Sequence, residues 1–168
     1  MKVKNTNNKI CLYMYMENNI LAVKAALQIG KPADQVFEAI INPEKMKNYF
    51  ISESSGRMEE GKTIIWRFPE FDMEIPVRVG IITQDKFISF CWDGSDNQEL
   101  LVEISLESQA NNSTVVRITE GSMENNDAGI AWLVSNTEGW AGFLACLKAY
   151  LEYGINLRKG AYDFMKKV

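Results

Sequence analysis

The chain has 168 residues, 46% hydrophobic and 24% charged, the make-up of one globular domain with a sizeable core and not of a disordered or membrane-embedded chain. Its 18 Lys and Arg against 22 Asp and Glu give a formal charge of −4, which argues against a nucleic-acid backbone as partner. Histidine is absent, and Cys11, Cys91 and Cys146 are too widely spaced for a disulfide framework or a CxxC-type metal signature. Reduced, buried thiols in a cytoplasmic protein without metal or cofactor are the expectation.

Residues 1–19 are rich in Asn and Lys around a short apolar run at 10–16. That run is far below the ~20 apolar residues of a membrane span, and no small-x-small cleavage site follows it directly. The segment reads as an extension. It is either sequence ahead of a translation start at Met14 or Met16, or a strand-like arm covering an edge or a neighbouring subunit. Residues 20–29 read as a first strand, ended by Gly30, Lys31 and Pro32. Pro32 suits the first turn of a helix, where its missing N–H is harmless, and Val36, Phe37, Ile40 and Ile41 follow at helical spacing. Asn42-Pro43 breaks that helix, and residues 43–50 form a second short one.

From Gly56 to Gly121 the apolar period becomes two. Ile64, Trp66 and Phe68 share one face of the first run. Phe71, Met73, Ile75, Val77, Val79 and Ile81 share one face of the next, opposite Asp72, Glu74 and Arg78. Pro76, on that second face, marks an edge or a bulge. Ile88, Phe90 and Trp92 follow, then Leu100, Val102, Ile104 and Leu106 opposite Glu103 and Glu107. After a turn at Asn111-Asn112, Val116 and Ile118 continue the apolar face. Short polar turns between these runs favour antiparallel hairpins.

Residues 127–154 are the longest Pro-free run with a helical pattern. Leu133, Thr137, Trp140, Phe143, Leu144, Leu147 and Leu151 lie on one broad face, and the helix is roughly 40 Å long. Gly139 and Gly142 inside it suggest a bend near Gly139. Arg158-Lys159 and Lys166-Lys167 mark residues 157–168 as a solvated tail. The order is thus one strand, two short helices, five or six antiparallel strands and one long helix. A sheet with one apolar face needs a cover, and only the long helix is large enough.

Several short motifs sit at the joints of this order: Pro32-Ala33-Asp34-Gln35-Val36-Phe37-Glu38-Ala39-Ile40, Asn42-Pro43-Glu44-Lys45-Met46, Tyr49-Phe50, Phe90-Cys91-Trp92, Thr114-Val115-Val116, and Gly139-Trp140 followed by Leu144, Leu147 and Leu151-Glu152. In spacing and order they resemble the START-like (SRPBCC, helix-grip) superfamily, and within it the branch of the C-terminal domain of activators of the heat-shock-protein-ninety ATPase. The resemblance covers residues 20–156; Tyr49 stands where this branch often carries Trp. It implies an α+β helix-grip fold, with a curved antiparallel sheet of about six or seven strands wrapped around the long C-terminal helix. It also implies a cavity between the two, but no particular reaction.

Without histidine, Ser-His-Asp and Cys-His catalysis are excluded in their usual forms, and Gly-rich phosphate loops are absent. Glu74, Glu103 and Glu107 fall on the polar face of the sheet and should meet solvent, so carboxylate chemistry lacks an inward group and catalytic residues are not assigned. Phe50, Trp66, Phe68, Met73, Phe90, Trp92, Trp140, Phe143 and Leu144 should face inward, either as plain core or as cavity walls. Asn136 and Thr137, near the start of the helix, either orient a ligand or meet solvent at the mouth. On the opposite helix face Gly142, Ala145, Cys146 and Ala149 are small, with Tyr153 beyond. They read as a homodimer surface, as the seat of the N-terminal arm, or simply as good helix formers. The leading function is binding of a hydrophobic or amphipathic small molecule. The alternatives are an interaction module of the chaperone-ATPase-activator type and a cyclase-like or hydrolase-like enzyme.

Overall fold

The computed structural model describes residues 19–94 and 98–165. The N-terminal extension therefore lies outside the described residues, apart from its last residue. Within them the order is β1 (Ile20–Ile29), α1 (Ala33–Ile41), α2 (Pro43–Met46), β2 (Glu53–Ser54), β3 (Thr63–Arg67), β4 (Glu74–Thr83), β5 (Phe87–Asp93), β6 (Glu99–Gln109), β7 (Ser113–Glu124) and α3 (Asp127–Tyr153), then a short 3-10 turn, Asp163–Met165. The strands form one antiparallel sheet in the order β1-β7-β6-β5-β4-β3-β2. From β2 to β7 each strand pairs with its successor, as short turns require, and β1 closes the far side against β7. The expected α+β architecture is present: a seven-stranded antiparallel sheet, short helices after the first strand and one long C-terminal helix.

The sheet buries its even-numbered residues on β6 and β7, with Val102, Ile104, Val116 and Ile118 almost wholly enclosed. α3 crosses this face, running along β1 and β7, and buries Trp140, Phe143, Leu144 and Leu147 against it. Its ends are set by chemistry. Asn126 Oδ1 accepts the Gly129 N–H at 2.9 Å, capping one free donor of the first turn. At the other end Gly154 adopts φ 66°, and the N–H groups of Gly154 and Ile155 bond back to Tyr150 and Ala149, the left-handed stop that glycine favours. Gly129 is required for a second reason: a Cβ there would lie 1.9 Å from the Glu124 carbonyl oxygen.

The last turn of α3 is tied to the end of β1. Glu152 accepts the Gly30 N–H at 2.6 Å, and Lys148 donates to the Gln28 carbonyl at 2.8 Å. The Gly30 N–H, followed by Lys148, holds the Glu152 carboxyl below its usual range. On the other flank Tyr49 is fully enclosed, its hydroxyl donating to the Ala39 carbonyl at 3.0 Å and its ring stacked on Tyr150. Burial, then the neighbouring Tyr150 and Cys146, hold its phenol well above the usual range. This tyrosine satisfies a helix carbonyl while filling an aromatic-sized place.

Three expectations are corrected. β4 begins at Glu74, so Phe71 and Met73 precede the strand, and Met73 is 57% exposed. Ile81 also faces outward, because a bulge between Val79 and Ile82 shifts the register and turns Ile82 toward the core instead. Ser89 Oγ accepts the Ile81 N–H inside this bulge at 2.8 Å. Pro76 sits where β4 has β3 on one side only, since pairing with β5 starts at Arg78. It thus occupies a local edge, and its missing N–H costs no ladder bond. The tail is the third correction: Arg158 is not solvated, as described below.

Candidate ligand-binding site

A cavity of about 580 Å³ lies between the N-terminal half of α3 and the adjacent ends of β4, β5 and β6. This falls within the usual range for small-molecule sites. α3 contributes Trp132, Asn136, Gly139 and Trp140 to its wall. The sheet side contributes Ile75, Trp92 and Leu100, and the 68–71 segment adds Phe68 and Phe71. Beyond Trp140 the helix closes down on the sheet: Phe143 and Leu144 are buried in solid core. Gly139 keeps the cavity open from the helix side, for a Cβ built on it would meet nothing within 4 Å. α3 runs unbroken from Asp127–Tyr153, so both interior glycines sit inside one continuous helix.

The inner wall is aromatic. Trp92 and Trp140 stack at 5.5 Å between ring centres, and Phe50 meets Phe68, Trp66 and Phe143 edge-on at 5.1, 5.9 and 4.7 Å. Edge-to-face pairs of this kind add roughly 1 kcal/mol each beyond the area they bury.

Behind the wall lies a buried carboxylate. Glu120, on the inner face of β7, is 0% exposed. Its Oε1 accepts the Trp92 indole N–H at 2.7 Å. Its Oε2 accepts the Trp140 indole N–H at 2.8 Å and Asn136 Nδ2 at 2.9 Å. Three N–H donors therefore converge on one carboxyl group, and each belongs to a residue that lines the cavity. An indole nitrogen can only donate, and leaving it without an acceptor at this depth is costly. From β7, Glu120 fixes an indole of β5 and an indole and an amide of α3 in one arrangement.

The tail forms the outer wall. After Gly154 the chain returns along α3, bringing Tyr162 Oη to 2.8 Å from the place a Gly142 Cβ would occupy. Arg158 Nη2 pairs with Glu70 Oε2 at 2.9 Å, with only 13% and 4% of the two side chains exposed. The guanidinium lies 4.7 Å from the Tyr162 ring centre and 5.4 Å from that of Phe50, within cation–π range. Arg158, Tyr162, Phe164 and Met165 all face the cavity. Trp132 Nε1 and Arg158 Nε are buried without an acceptor among the described residues.

Of the residues expected at the cavity, Phe50, Phe68, Trp92, Asn136 and Trp140 line it. Trp66, Phe90, Phe143 and Leu144 are buried behind it as core, Thr137 is half-buried away from it, and Met73 is on the surface. On the small-residue face Cys146 is buried, Ala145 and Tyr153 are exposed, and Ala149 is intermediate. Burial pushes the Cys91 and Cys146 thiols up, away from the reactive thiolate. Among the described residues no cluster of His, Cys, Asp and Glu could hold a metal. No helix there is long and apolar enough to cross a membrane. Glu74, Glu103 and Glu107 are exposed, as expected.

Glu120, Trp132 and Arg158 were the residues sequence reasoning missed. Glu120 had a signal, since it continues the inward parity of Val116 and Ile118 on β7.

A single sheet gripping a long C-terminal helix, with an aromatic cavity between them, defines a protein of the START-like helix-grip class. Residues 31–152 match the model of the family described as Activator of Hsp90 ATPase homolog 1-like protein, and the chain belongs to that family. Among solved structures, protein SSP2350 from Staphylococcus saprophyticus is 33% identical, with a TM-score of 0.72 over 82% of this chain and 96% of that one. The Aha1 dimer from Colwellia psychrerythraea is 22% identical, with a TM-score of 0.69 over 80% of this chain and 98% of that one. DynU16, a putative protein in the dynemicin biosynthetic locus, is 24% identical with a TM-score of 0.69; the match covers 79% of this chain and 48% of that one. At these two lower identities the likeness is one of fold. No curated protein matches the chain.

Proposed function

We propose that this is a cytoplasmic binding protein for a hydrophobic or amphipathic small molecule, held between the sheet and α3. The observation that carries this reading is the cavity of about 580 Å³ with an aromatic wall stiffened by Glu120. Gly139 lines the cavity, and a Cβ built on it would meet nothing within 4 Å. Trp92 and Trp140 offer flat surfaces, and affinity comes mainly from apolar burial, at about 25 cal/mol per Å² before the costs of association. The polar groups at the wall would orient the ligand and contribute little to its affinity. Catalysis is disfavoured by the same geometry: Glu120 is sealed from the cavity, and both its oxygens are engaged.

The test is native mass spectrometry of protein purified without added ligand, alongside titration with 8-anilinonaphthalene-1-sulfonate. A bound small molecule, or saturable probe fluorescence at one site per chain, is expected. A bare mass together with no probe binding overturns the reading.

A second reading, an interaction module that self-associates through Gly142, Ala145, Cys146, Ala149 and Tyr153, draws support from the dimeric relative of similar fold. Tyr162 already occupies the space over Gly142, so the exposed remainder at Ala145 and Tyr153 would have to carry the contact. Light scattering on the wild type and on Ala145→Glu tests it: a monomer in both excludes a dimer.

A further inference from the structure

Two buried side-chain atoms lack a hydrogen-bond partner among the described residues, Trp132 Nε1 and Arg158 Nε. Both belong to residues that line the cavity, one on the first half of α3 and the other on the returning tail. Both are donors, and neither an indole nor a guanidinium nitrogen can accept. Trp132 is 7% exposed, so its N–H is not relieved at the protein surface. A buried N–H without a partner is uncommon in native proteins and asks for an explanation. What this wall calls for is an acceptor.

The charges around the cavity decide which kind of acceptor. Glu70, Asp93 and Glu138 line it, against Arg158 as the one cation among its lining residues. Glu120 stands behind the aromatic wall. Arg158 already pairs with Glu70 through Nη2, so its charge is compensated while its Nε is left over. An anionic head group would enter among carboxylates and give up its hydration for a guanidinium that is already neutralised. An ammonium group only donates, which leaves both N–H groups as they are. A carbonyl oxygen of a ketone, ester or amide meets such a donor without bringing a charge.

We propose that the cavity selects an uncharged ligand whose apolar body carries a carbonyl oxygen, and that this oxygen accepts from Trp132 Nε1. This rests on the cavity being a ligand site, and it names the chemistry that the site takes. Trp132 is the specificity-determining residue, because its N–H has no competing partner among the described residues. Arg158 Nε is the second donor, open to a second oxygen on a longer ligand while Nη2 stays with Glu70.

The experiment uses three probes on one ring system. They are 2-acetylnaphthalene, 2-isopropenylnaphthalene with a methylene in place of the oxygen, and 2-naphthoate, which carries a charge. In NMR shift titrations of the wild type the ketone should bind about three- to tenfold more tightly than the alkene, and more tightly than naphthoate. Trp132→Phe keeps an aromatic ring without the N–H and should bring the ketone-to-alkene ratio to about one. The same variant identifies Trp132 among the four indole N–H resonances, as the signal that disappears. In the wild type that signal should move downfield with the ketone and not with the alkene, a response that a merely structural tryptophan does not give. Circular dichroism checks the fold of the variant. Should it unfold, backbone assignment identifies the resonance and its shift decides. Equal affinity for ketone and alkene, tighter binding of naphthoate, a ratio that survives Trp132→Phe, or an indole signal indifferent to the ketone overturns the carbonyl site and leaves the cavity standing. If neither these probes nor 8-anilinonaphthalene-1-sulfonate binds, the cavity reading itself falls, and this proposal with it.

Discussion

Trp140 donates its indole N–H to Glu120 Oε2 at 2.8 Å, joining the middle of α3 to the inner face of β7. The bond belongs to a set of three, completed by Trp92 and Asn136, around a carboxyl group with no exposed surface. Glu120→Gln keeps the shape but replaces one acceptor oxygen by an amide that donates. Whichever way the new amide turns, an indole N–H loses its acceptor: that of Trp92 in one orientation, that of Trp140 in the other, where Asn136 must also turn over. Leaving a buried donor unsatisfied costs about 1–3 kcal/mol. Urea denaturation should show that loss as a lower midpoint with an unchanged slope. A midpoint equal to the wild type would mean that the carboxylate network does not hold helix to sheet.

Gly139 is the place where the cavity can be filled from within. A Cβ there meets nothing within 4 Å, and the residue lies inside a 27-residue helix. Gly139→Ala should therefore raise stability by about 1 kcal/mol through helix propensity alone. Gly139→Leu projects a larger side chain into the space the ligand is proposed to occupy. Probe affinity should fall at least tenfold, while thermal unfolding shows a protein no less stable than the wild type. Retained affinity in the leucine variant would place the ligand elsewhere.

How much of this was legible from the residues follows from the range of the signals. β1 and α3 stand out because a strand and a helix each repeat their own apolar period, and Gly154 supplies the stop. Met73 and Ile81 were misplaced because alternation was extended through a chain that had not yet entered β4 and then through a bulge. Neither event changes the hydrophobic pattern of the segment itself. Glu120 was overlooked because an acidic residue near a strand end ordinarily meets solvent. Its partners were the better clue, since inward indoles and an inward amide are costly to bury without an acceptor. Arg158 could not be placed at all: its Glu70 partner is 88 residues away, and nothing local tells a charged tail to fold back. Gly142, small where Tyr162 arrives, is the one trace of that return in the sequence.

Arg158 holds the tail over the cavity through Glu70 and the rings of Phe50, Phe68 and Tyr162. Arg158→Met keeps much of the apolar stem but removes the charge, leaving Glu70 enclosed and unpaired. An unpaired buried charge is costly, and the tail can relieve it by lifting away and admitting water. Hydrogen exchange should therefore speed up across residues 155–165 while the β6 and β7 amides keep their protection. Unchanged exchange in the tail would show that the aromatic contacts alone secure it.

Glu38 on α1 and Arg57 after β2 form a two-pronged pair, Nη1 to Oε1 at 2.9 Å and Nη2 to Oε2 at 2.6 Å. The Arg57 hydrogen bonds, helped by Asn42, lower the Glu38 carboxyl from 4.5 to about 2. A depressed carboxylate favours the folded state wherever it is ionised there and would be partly protonated in the unfolded chain. Its contribution is thus complete above about pH 4.5 and lost as the pH falls toward 2. Both side chains keep a third or more of their surface in solvent, so screening limits the effect to about 1 kcal/mol. Wild type and Glu38→Gln should differ by that amount at neutral pH and converge near pH 2, with the wild type showing the steeper acid limb between pH 4.5 and 2. Parallel stability curves across that window would show that Arg57 and Glu38 are not paired in solution.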